Sequence, residues 1–260
     1  MIAAPSATLC RLRHAVAKIE RRDAVLDTGR AALALGLPVI DAVLQGGLAA
    51  ASLHEIAPAA AGDLGAAAGF ACALAARAGD DGRDTLWIRT DFAAVESGDI
   101  YGPGCDLFGL PVRQLLILKV SRPLDALWAM EEALKCRALS SVIAELPHDG
   151  SIADLTATRR LTLAVRAGGA FGFLFRHRPS QLSGSAETCW EIAAAPSSPD
   201  RFGGLGRTAL TLSLTKNRHG PIGRWPVAWD HHERTFSALS LGMAEAAFDR
   251  QGRSRLVRAG

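Results

Sequence analysis

A chain of 260 residues is long enough to bury one sizeable α/β core, and its 21% charged and 49% apolar residues are ordinary for a soluble globular protein. Basic residues exceed acidic ones by only three, which argues against a strong overall field for nucleic acid. No window reaches the ~18 uninterrupted apolar residues of a membrane span. The five cysteines are widely spaced and form no C-x-x-C pair, which favours reduced thiols over a zinc site. These features predict a cytoplasmic protein without a membrane segment or a metal site.

The first 30 residues predict a basic amphipathic helix that precedes the core. Apolar Leu12, Val16 and Ile19 recur at three- and four-residue steps within residues 9–22, and the opposite side of this helix is basic. A stripe of this kind docks either on the core of its own chain or on a partner. We therefore predict an N-terminal extension over residues 1–30, with Leu12, Val16 and Ile19 as candidate contacts to a partner or a second subunit.

From residue 31 onwards, predicted strands alternate with predicted helices, which is the pattern of a mostly parallel sheet covered on both faces. The run 114–120 is nearly continuous in apolar residues, so we expect this strand to be fully buried. The predicted strands are 52–56, 85–89, 114–120, 141–146 and 170–175, and the predicted helices are 40–44, 64–78, 123–137 and 154–166, the last capped by Asp154.

The later third of the chain alternates apolar and polar residues with a period of two. This pattern runs through residues 188–192, 210–215 and 225–229, and it predicts antiparallel strands added at the edge of the sheet. After residue 230 the pattern fades, so we predict one core domain over 31–230 and a basic tail over 231–260. The tail is either disordered or touches DNA phosphates, and the candidate contacts are Arg250, Arg253, Arg255 and Arg258.

Residues 53–70 read as a buried strand, a loop of small residues and the opening of a helix. In an α/β nucleotide-binding domain this is the place of the phosphate-binding loop, which ends in Gly-Lys-Ser/Thr. Here Gly62 is followed by Asp63 and Leu64. Replacing lysine by aspartate turns an attraction of roughly 4 kcal/mol at ~4 Å into a repulsion. The sequence therefore predicts a degenerate loop that keeps the small residues but not the lysine or the hydroxyl.

No neighbouring residue restores the missing charge at this loop. The nearest lysines are Lys18 and Lys119, and Arg77 and Arg89 differ from lysine in the geometry by which they bind phosphate. We therefore predict that the chain is not an ATPase and uses no cofactor. The degenerate nucleotide site that we assign comprises Ala57, Pro58, Gly62, Asp63, Leu64, Asp91 and Glu145.

Several segments, taken in order, resemble known families. Leu-Gly-Leu-Pro-Val-Ile-Asp-Ala-Val-Leu-Gln-Gly-Gly-Leu (35–48), followed by Leu-His-Glu-Ile (53–56), is similar to the entry into the core of RecA-type recombinases. More specifically, the chain resembles the ImuA family of RecA-like accessory proteins. The segments that carry this resemblance are 53–56, Leu-Trp-Ile-Arg (86–89), Asp-Ala-Leu-Trp-Ala-Met-Glu-Glu-Ala-Leu-Lys-Cys (125–136), Asp-Leu-Thr-Ala-Thr-Arg-Arg-Leu (154–161) and Ala-Ala-Pro-Ser (194–197).

The resemblance implies a RecA-like fold and a role in damage-induced (SOS), error-prone translesion synthesis. The implied partners are an ImuB-like Y-family polymerase homologue and, through it, an error-prone DnaE-type polymerase. RecA and DNA are further candidates. A DNA-dependent ATPase of the recombinase class and a SulA-like cell-division inhibitor are the alternative functions.

The resemblance also singles out residues outside the loop. Asp91 stands where the recombinases place the acid that activates water, and Glu145 where they place a metal-linked aspartate. Capping or strand-end solvation is the alternative role for each acid. Lys216, Asn217 and Arg218 resemble the Lys-Asn-Lys near the recombinase subunit interface, which makes them candidate partner or subunit contacts or, alternatively, a solvated hairpin end.

Overall fold

The computed structural model describes residues 32–146, 155–179, 184–197, 199, 204 and 206–239. The predicted N-terminal helix with Leu12, Val16 and Ile19, the cap at Asp154 and the arginines of the tail lie outside these residues. The strands are β1 (Ala32–Leu33), β2 (Leu48–Ala49), β3 (Leu53–Pro58), β4 (Asp84–Thr90), β5 (Leu115–Val120), β6 (Leu139–Leu146), β7 (Phe171–Arg176), β8 (Thr188–Ala195), β9 (Thr208–Asn217), β10 (Gly223–Asp230) and β11 (Thr235–Ala238). The helices are α1 (Pro38–Val43), α2 (Leu64–Ala78), α3 (Asp91–Ser97), α4 (Gly102–Leu107), α5 (Pro123–Ala133) and α6 (Leu155–Gly168).

Nine strands form one sheet in the order β11-β10-β9-β8-β3-β7-β6-β4-β5, and β1 pairs with β2 in a separate two-stranded sheet. From β5 to β8 the neighbouring strands are parallel. From β8 to β11 they are antiparallel. The predicted α/β class, with a mostly parallel sheet and antiparallel strands added at its C-terminal side, is confirmed.

Helices cover both faces of the sheet. On one face the small side chains of α2 let it lie close to the strands, and Phe70 packs against Trp190 with ring centroids 5.6 Å apart. On the other face α5 and α6 bury Met130 and Leu161. Each such side chain contributes roughly 1.5–3 kcal/mol when it is fully buried. Among the described helices, none is long and apolar enough to cross a membrane.

Strand β5 is not buried as its sequence predicts. It lies at the end of the sheet, and Leu116, Ile117 and Leu118 are exposed. A continuous apolar run indicates a strand, but which strands surround it depends on the order of the sheet, and the run does not encode that order. The prediction of full burial was therefore wrong.

The core also extends past residue 230, where we expected it to end. After a turn at residues 231–234, β11 pairs with β10, and Trp229 faces Phe236 across the ladder. Phe236 is buried, and its ring centroid lies 4.7 Å from that of Trp229. Because β11 carries a single large apolar residue, its period-two pattern was too short to read. Residues 235–238 are therefore part of the sheet.

Candidate functional site

The candidate site lies at the carboxyl ends of the parallel strands, the edge at which open α/β sheets bind ligands. The degenerate loop, residues 59–63, follows β3, and Arg89 lies next to the end of β4. Glu145 is near the end of β6, and His177 follows β7 directly. Since these four strands are parallel and lie side by side in the order β3-β7-β6-β4, their ends bring the loop and the three side chains to one edge.

In the degenerate loop, the carboxylate of Asp63 binds nearby main-chain N–H groups. Asp63 Oδ2 accepts a hydrogen bond from the main-chain N–H of Ala60 at 3.1 Å, and its Oδ1 accepts one from Ala194 at 2.9 Å. The N–H of Ala59 donates to the carbonyl of Ile192 at 2.8 Å. In a working loop such N–H groups face phosphates. Here the loop is tied to β8, and one N–H that could face a phosphate binds the side chain of Asp63 instead.

The remaining loop residues have structural surroundings. Ala57 and Pro58 end β3, are buried and pair with β8, and Leu64 is half-buried at the start of α2. Gly62 is exposed, and a Cβ built there would meet no atom within 4 Å. The loop therefore does not need glycine at this position to make room for a neighbouring atom of the chain.

Glu145 forms a buried ion pair with Arg89. The guanidinium approaches the carboxylate with Nη2 3.2 Å from Oε1 and with Nε 3.1 Å from Oε2. Only 3% of the Arg89 side chain and 4% of the Glu145 side chain are exposed. Arg89 also donates to the carbonyl of Gly98 at 2.8 Å. The positive charge that a metal ion would bring to this carboxylate is thus supplied by the chain itself.

Two further side chains bind the same carboxylate. The indole Nε1 of Trp87 donates to Oε2 of Glu145 at 3.3 Å, and Nε2 of His177 lies 2.8 Å from Oε1. The other ring nitrogen of His177 lies 3.3 Å from Oε2 of Glu96. The hydrogen bond with Glu145 raises the pKa of His177, against the lowering effect of burial. The hydroxyl of Ser97 lies 3.5 Å from Oε1, so four side chains surround the carboxylate of Glu145.

The second predicted acid does not join this network. Asp91 is exposed at the first residue of α3, and its Oδ2 accepts a hydrogen bond from the hydroxyl of Ser121 at 3.0 Å. Thr90 caps the same helix by accepting from the N–H of Ala93. Asp91 thus links the start of α3 to the residue that follows β5, while Glu145 lies in the interior.

Two of the three predicted contact residues near β9 hold the core together. Lys216 Nζ donates to the carbonyl of Gly184 at 2.6 Å, and Asn217 Nδ2 donates to the carbonyl of Val43 at 3.2 Å. Arg218 is exposed, and its main-chain N–H donates to the carbonyl of Glu187. A role of these residues in a partner or subunit interface stays a prediction.

Sequence reasoning missed two buried ion pairs. Arg89, one of the two arginines that the sequence offers near the loop, binds Glu145 instead of facing a phosphate. The other, Arg77, donates to the carbonyl of Ala34 at 3.0 Å. Arg176 of β7 lies 2.6 Å from Glu55 of β3, and burial raises the pKa of Glu55 although the positive charge of Arg176 opposes this. The signal was available, since a charged residue within a buried strand needs a partner.

Comparisons with known proteins identify relatives of the chain. No family model matches it. It is similar to Protein ImuA from two strains of Caulobacter vibrioides, with 32% identity over 208 residues, which is 74% of this chain and 81% of each relative. It is also similar to the crystal structure of the RadB recombinase, with a TM-score of 0.54 and 13% identity over 80% of this chain and 100% of that one. The second likeness concerns the fold, and it confirms the predicted RecA-like architecture.

Proposed function

The chain belongs to the ImuA family and has a RecA-like fold, and from this premise we propose that it is a non-catalytic accessory protein of damage-induced, error-prone translesion DNA synthesis. In this role it binds a Y-family polymerase homologue of the ImuB type, and through that partner an error-prone DnaE-type polymerase. The RecA-like core then acts as a scaffold that works without nucleotide.

The observation that carries this proposal is the Arg89–Glu145 ion pair. Phosphoryl transfer in this class needs a metal ion that bridges the phosphates and is held by a strand-end carboxylate. In this chain that carboxylate is buried with a guanidinium, an indole N–H and an imidazole around it. A metal ion would have to displace Arg89, which would leave a buried positive charge without its partner. Such a change costs about 3–5 kcal/mol.

The loop supports the same proposal from the other side of the site. Asp63 occupies the lysine position and accepts two main-chain hydrogen bonds. A phosphate would meet this carboxylate instead of a lysine ammonium, so the charge at the loop repels it. Both groups that would bind the nucleotide and its metal are therefore engaged within the chain.

Co-purification of the full chain with the ImuB-like protein tests this function. We expect a stable complex that forms equally well with and without Mg·ATP. A matched truncation that removes residues 240–260 keeps β11 in the sheet and asks whether the basic tail takes part. A complex that forms only with Mg·ATP, or no complex at all, would overturn the proposal.

A further inference from the structure

A cavity of about 340 Å³ lies beside the degenerate loop, between the first turns of α2 and the segment 97–108. Its lining includes the buried Arg89–Glu145 pair described above. The rest of its lining is mostly apolar and includes Leu64, Ala68, Trp87, Ile100, Phe108 and Phe175. Pockets that are apolar with a few fixed polar groups are the usual form of binding sites in proteins.

Two glycines of α2 show how this cavity is closed at one point and open at another. A Cβ on Gly69 would overlap the ring of Phe108, so the helix and that ring are already in contact there. A Cβ on Gly65 would meet no atom within 4 Å, although Gly65 also lines the cavity. Because Gly65 is exposed and would leave a Cβ free of contacts, a side chain from outside can reach the cavity there, and we call this point its mouth.

The segment 91–112, part of which lines the cavity, is rich in exposed apolar side chains. Fourteen large apolar side chains are exposed among the described residues, and five of them belong to the segment 91–112. They are Phe92, Val95, Tyr101, Leu107 and Val112. Tyr101 lines the cavity itself and is 71% exposed. Contiguous exposed apolar surface marks interaction sites, whereas single scattered apolar residues are normal on a protein surface.

The same segment is acidic. Residues 90–112 include Asp91, Glu96, Asp99 and Asp106 and contain no lysine or arginine. Asp99 lines the cavity, its side chain is 71% exposed, and it pairs with Lys119 of β5 at 2.7 Å. Lys119 partly offsets the charge of Asp99, and His177 lies beside Glu96, but the segment's own charge remains negative. This excess favours a basic ligand over phosphate or nucleic acid.

We propose that the cavity and the segment 91–112, together the acidic apolar surface, are where the polymerase-like partner docks. This inference rests on the proposed function. The partner inserts one large apolar side chain, aromatic or branched aliphatic, past Gly65 into the cavity. Lysines or arginines on either side of that residue in the partner face Asp99 and its acidic neighbours. Anchors of this kind dominate the binding energy of protein interfaces, while complementary charges mainly raise the association rate.

A pair of glycine substitutions tests the anchor. Gly65 lines the cavity and Gly62 does not, and a Cβ at either position would meet no atom within 4 Å. Gly65→Leu therefore places a side chain at the mouth of the cavity, whereas Gly62→Leu adds the same side chain outside the lining. We expect Gly65→Leu to weaken the complex with the ImuB-like protein at least about tenfold in calorimetric titration, since the leucine takes the place of the partner's apolar side chain. Gly62→Leu should bind within about twofold of the native chain. Circular dichroism and thermal unfolding verify that both variants are folded.

A pair of charge reversals tests the acidic rim. Asp99→Lys breaks an exposed ion pair at the cavity, and Asp81→Lys breaks the similar pair of Asp81 with Arg83. Asp81 follows the far end of α2, a helix of 15 residues and so about 22 Å long. We expect Asp99→Lys to weaken the complex about three- to tenfold at low salt and less at high salt, and Asp81→Lys to leave it unchanged.

The outcomes separate the two proposals. If the native chain does not bind the ImuB-like protein, the proposed function is wrong and this docking surface is wrong with it. If the native chain binds and Gly65→Leu binds equally well, the proposed function stands and the acidic apolar surface is overturned. Weakening by Gly65→Leu and Asp99→Lys, but not by their matched controls, supports the surface.

Discussion

Asp63 and Glu145 lie at the same edge of the sheet, and they are held in different ways. Asp63 is partly exposed and accepts two main-chain N–H groups, from Ala60 and Ala194. Glu145 is buried and is bound by the side chains of Arg89, Trp87 and His177. Main-chain donors are present whatever the sequence, whereas side-chain donors are lost by single substitutions. The loop should therefore tolerate change, and the strand end should not.

The largest expected effect comes from Arg89→Met, which removes the charge that Glu145 faces. Breaking a buried ion pair by removing one partner leaves the other charge uncompensated. We expect the free energy of unfolding, measured with chemical denaturant, to fall by about 3–5 kcal/mol.

The double variant Arg89→Met/Glu145→Gln is the matched control for this effect. Glutamine keeps a polar partner for Trp87 and His177 but carries no charge, so most of the lost stability should return. If the double variant loses as much free energy of unfolding as Arg89→Met and Glu145→Gln lose together, the ion pair is not the source of the effect.

Asp63→Ala probes the exposed member of the comparison. It removes two hydrogen bonds to the main chain, each of which contributes about 0.5–1.5 kcal/mol, and water replaces part of the loss at this exposed loop. We expect unfolding to become easier by about 1–2 kcal/mol in the same denaturant assay. Asp80→Ala, in the exposed turn after α2, should change stability by less than about 0.5 kcal/mol. If Asp63→Ala lowers the free energy of unfolding as much as Arg89→Met does, the contrast between the partly exposed loop and the buried strand end is wrong.

His177 makes the buried network sensitive to pH. Its pKa is raised above the ordinary value of 6.5, mainly by the hydrogen bond with Glu145. A raised pKa stabilises the folded state fully below pH 6.5, and this stability is lost as the pH rises through the folded-state pKa. We expect the free energy of unfolding to fall as the pH rises above 6.5, and His177→Gln to reduce this slope. The control His232→Gln, at an exposed position, should keep the native slope. If both variants reduce the slope equally, His177 is not the source of the pH dependence.

The smallest expected effect is that of Asp91→Asn, a third carboxylate of the same edge. Its hydrogen bond with Ser121 lies at the surface, where water competes for both groups. Surface substitutions of this kind change stability by less than about 0.5 kcal/mol. A loss above about 1 kcal/mol in thermal unfolding would place Asp91 with Glu145 instead of with the exposed loop.

The sequence was sufficient for the parts of the site that are local in the chain. Gly62, Asp63 and Leu64 lie within six residues of the end of a buried strand, so the missing lysine could be read from three consecutive residues. The hydrogen bond of Asp63 with Ala194 could not be predicted, because the two residues are 131 positions apart. Arg89 and Glu145 are 56 residues apart, and only the parallel pairing of β4 with β6 brings them together.

Sheet order explains the other differences in the same way. The apolar run at β5 predicts a strand correctly, yet its exposure follows from its place at the end of the sheet. The strand β11 is recognised by the packing of Phe236 on Trp229 and not by its four residues. Periodicity reports local structure, whereas burial and ion pairing report which strands are neighbours.

Titration of the full chain with millimolar Mg·ATP, with heat and released phosphate both followed, tests the central claim most directly. We expect no binding and no turnover of ATP. The carboxylate of Asp63 binds a main-chain N–H of the loop, and the guanidinium of Arg89 binds the carboxylate of Glu145. Binding of ATP, or turnover that is lost in Asp91→Asn or Glu145→Gln, would contradict the claim that the chain is a RecA-like scaffold without a working nucleotide site.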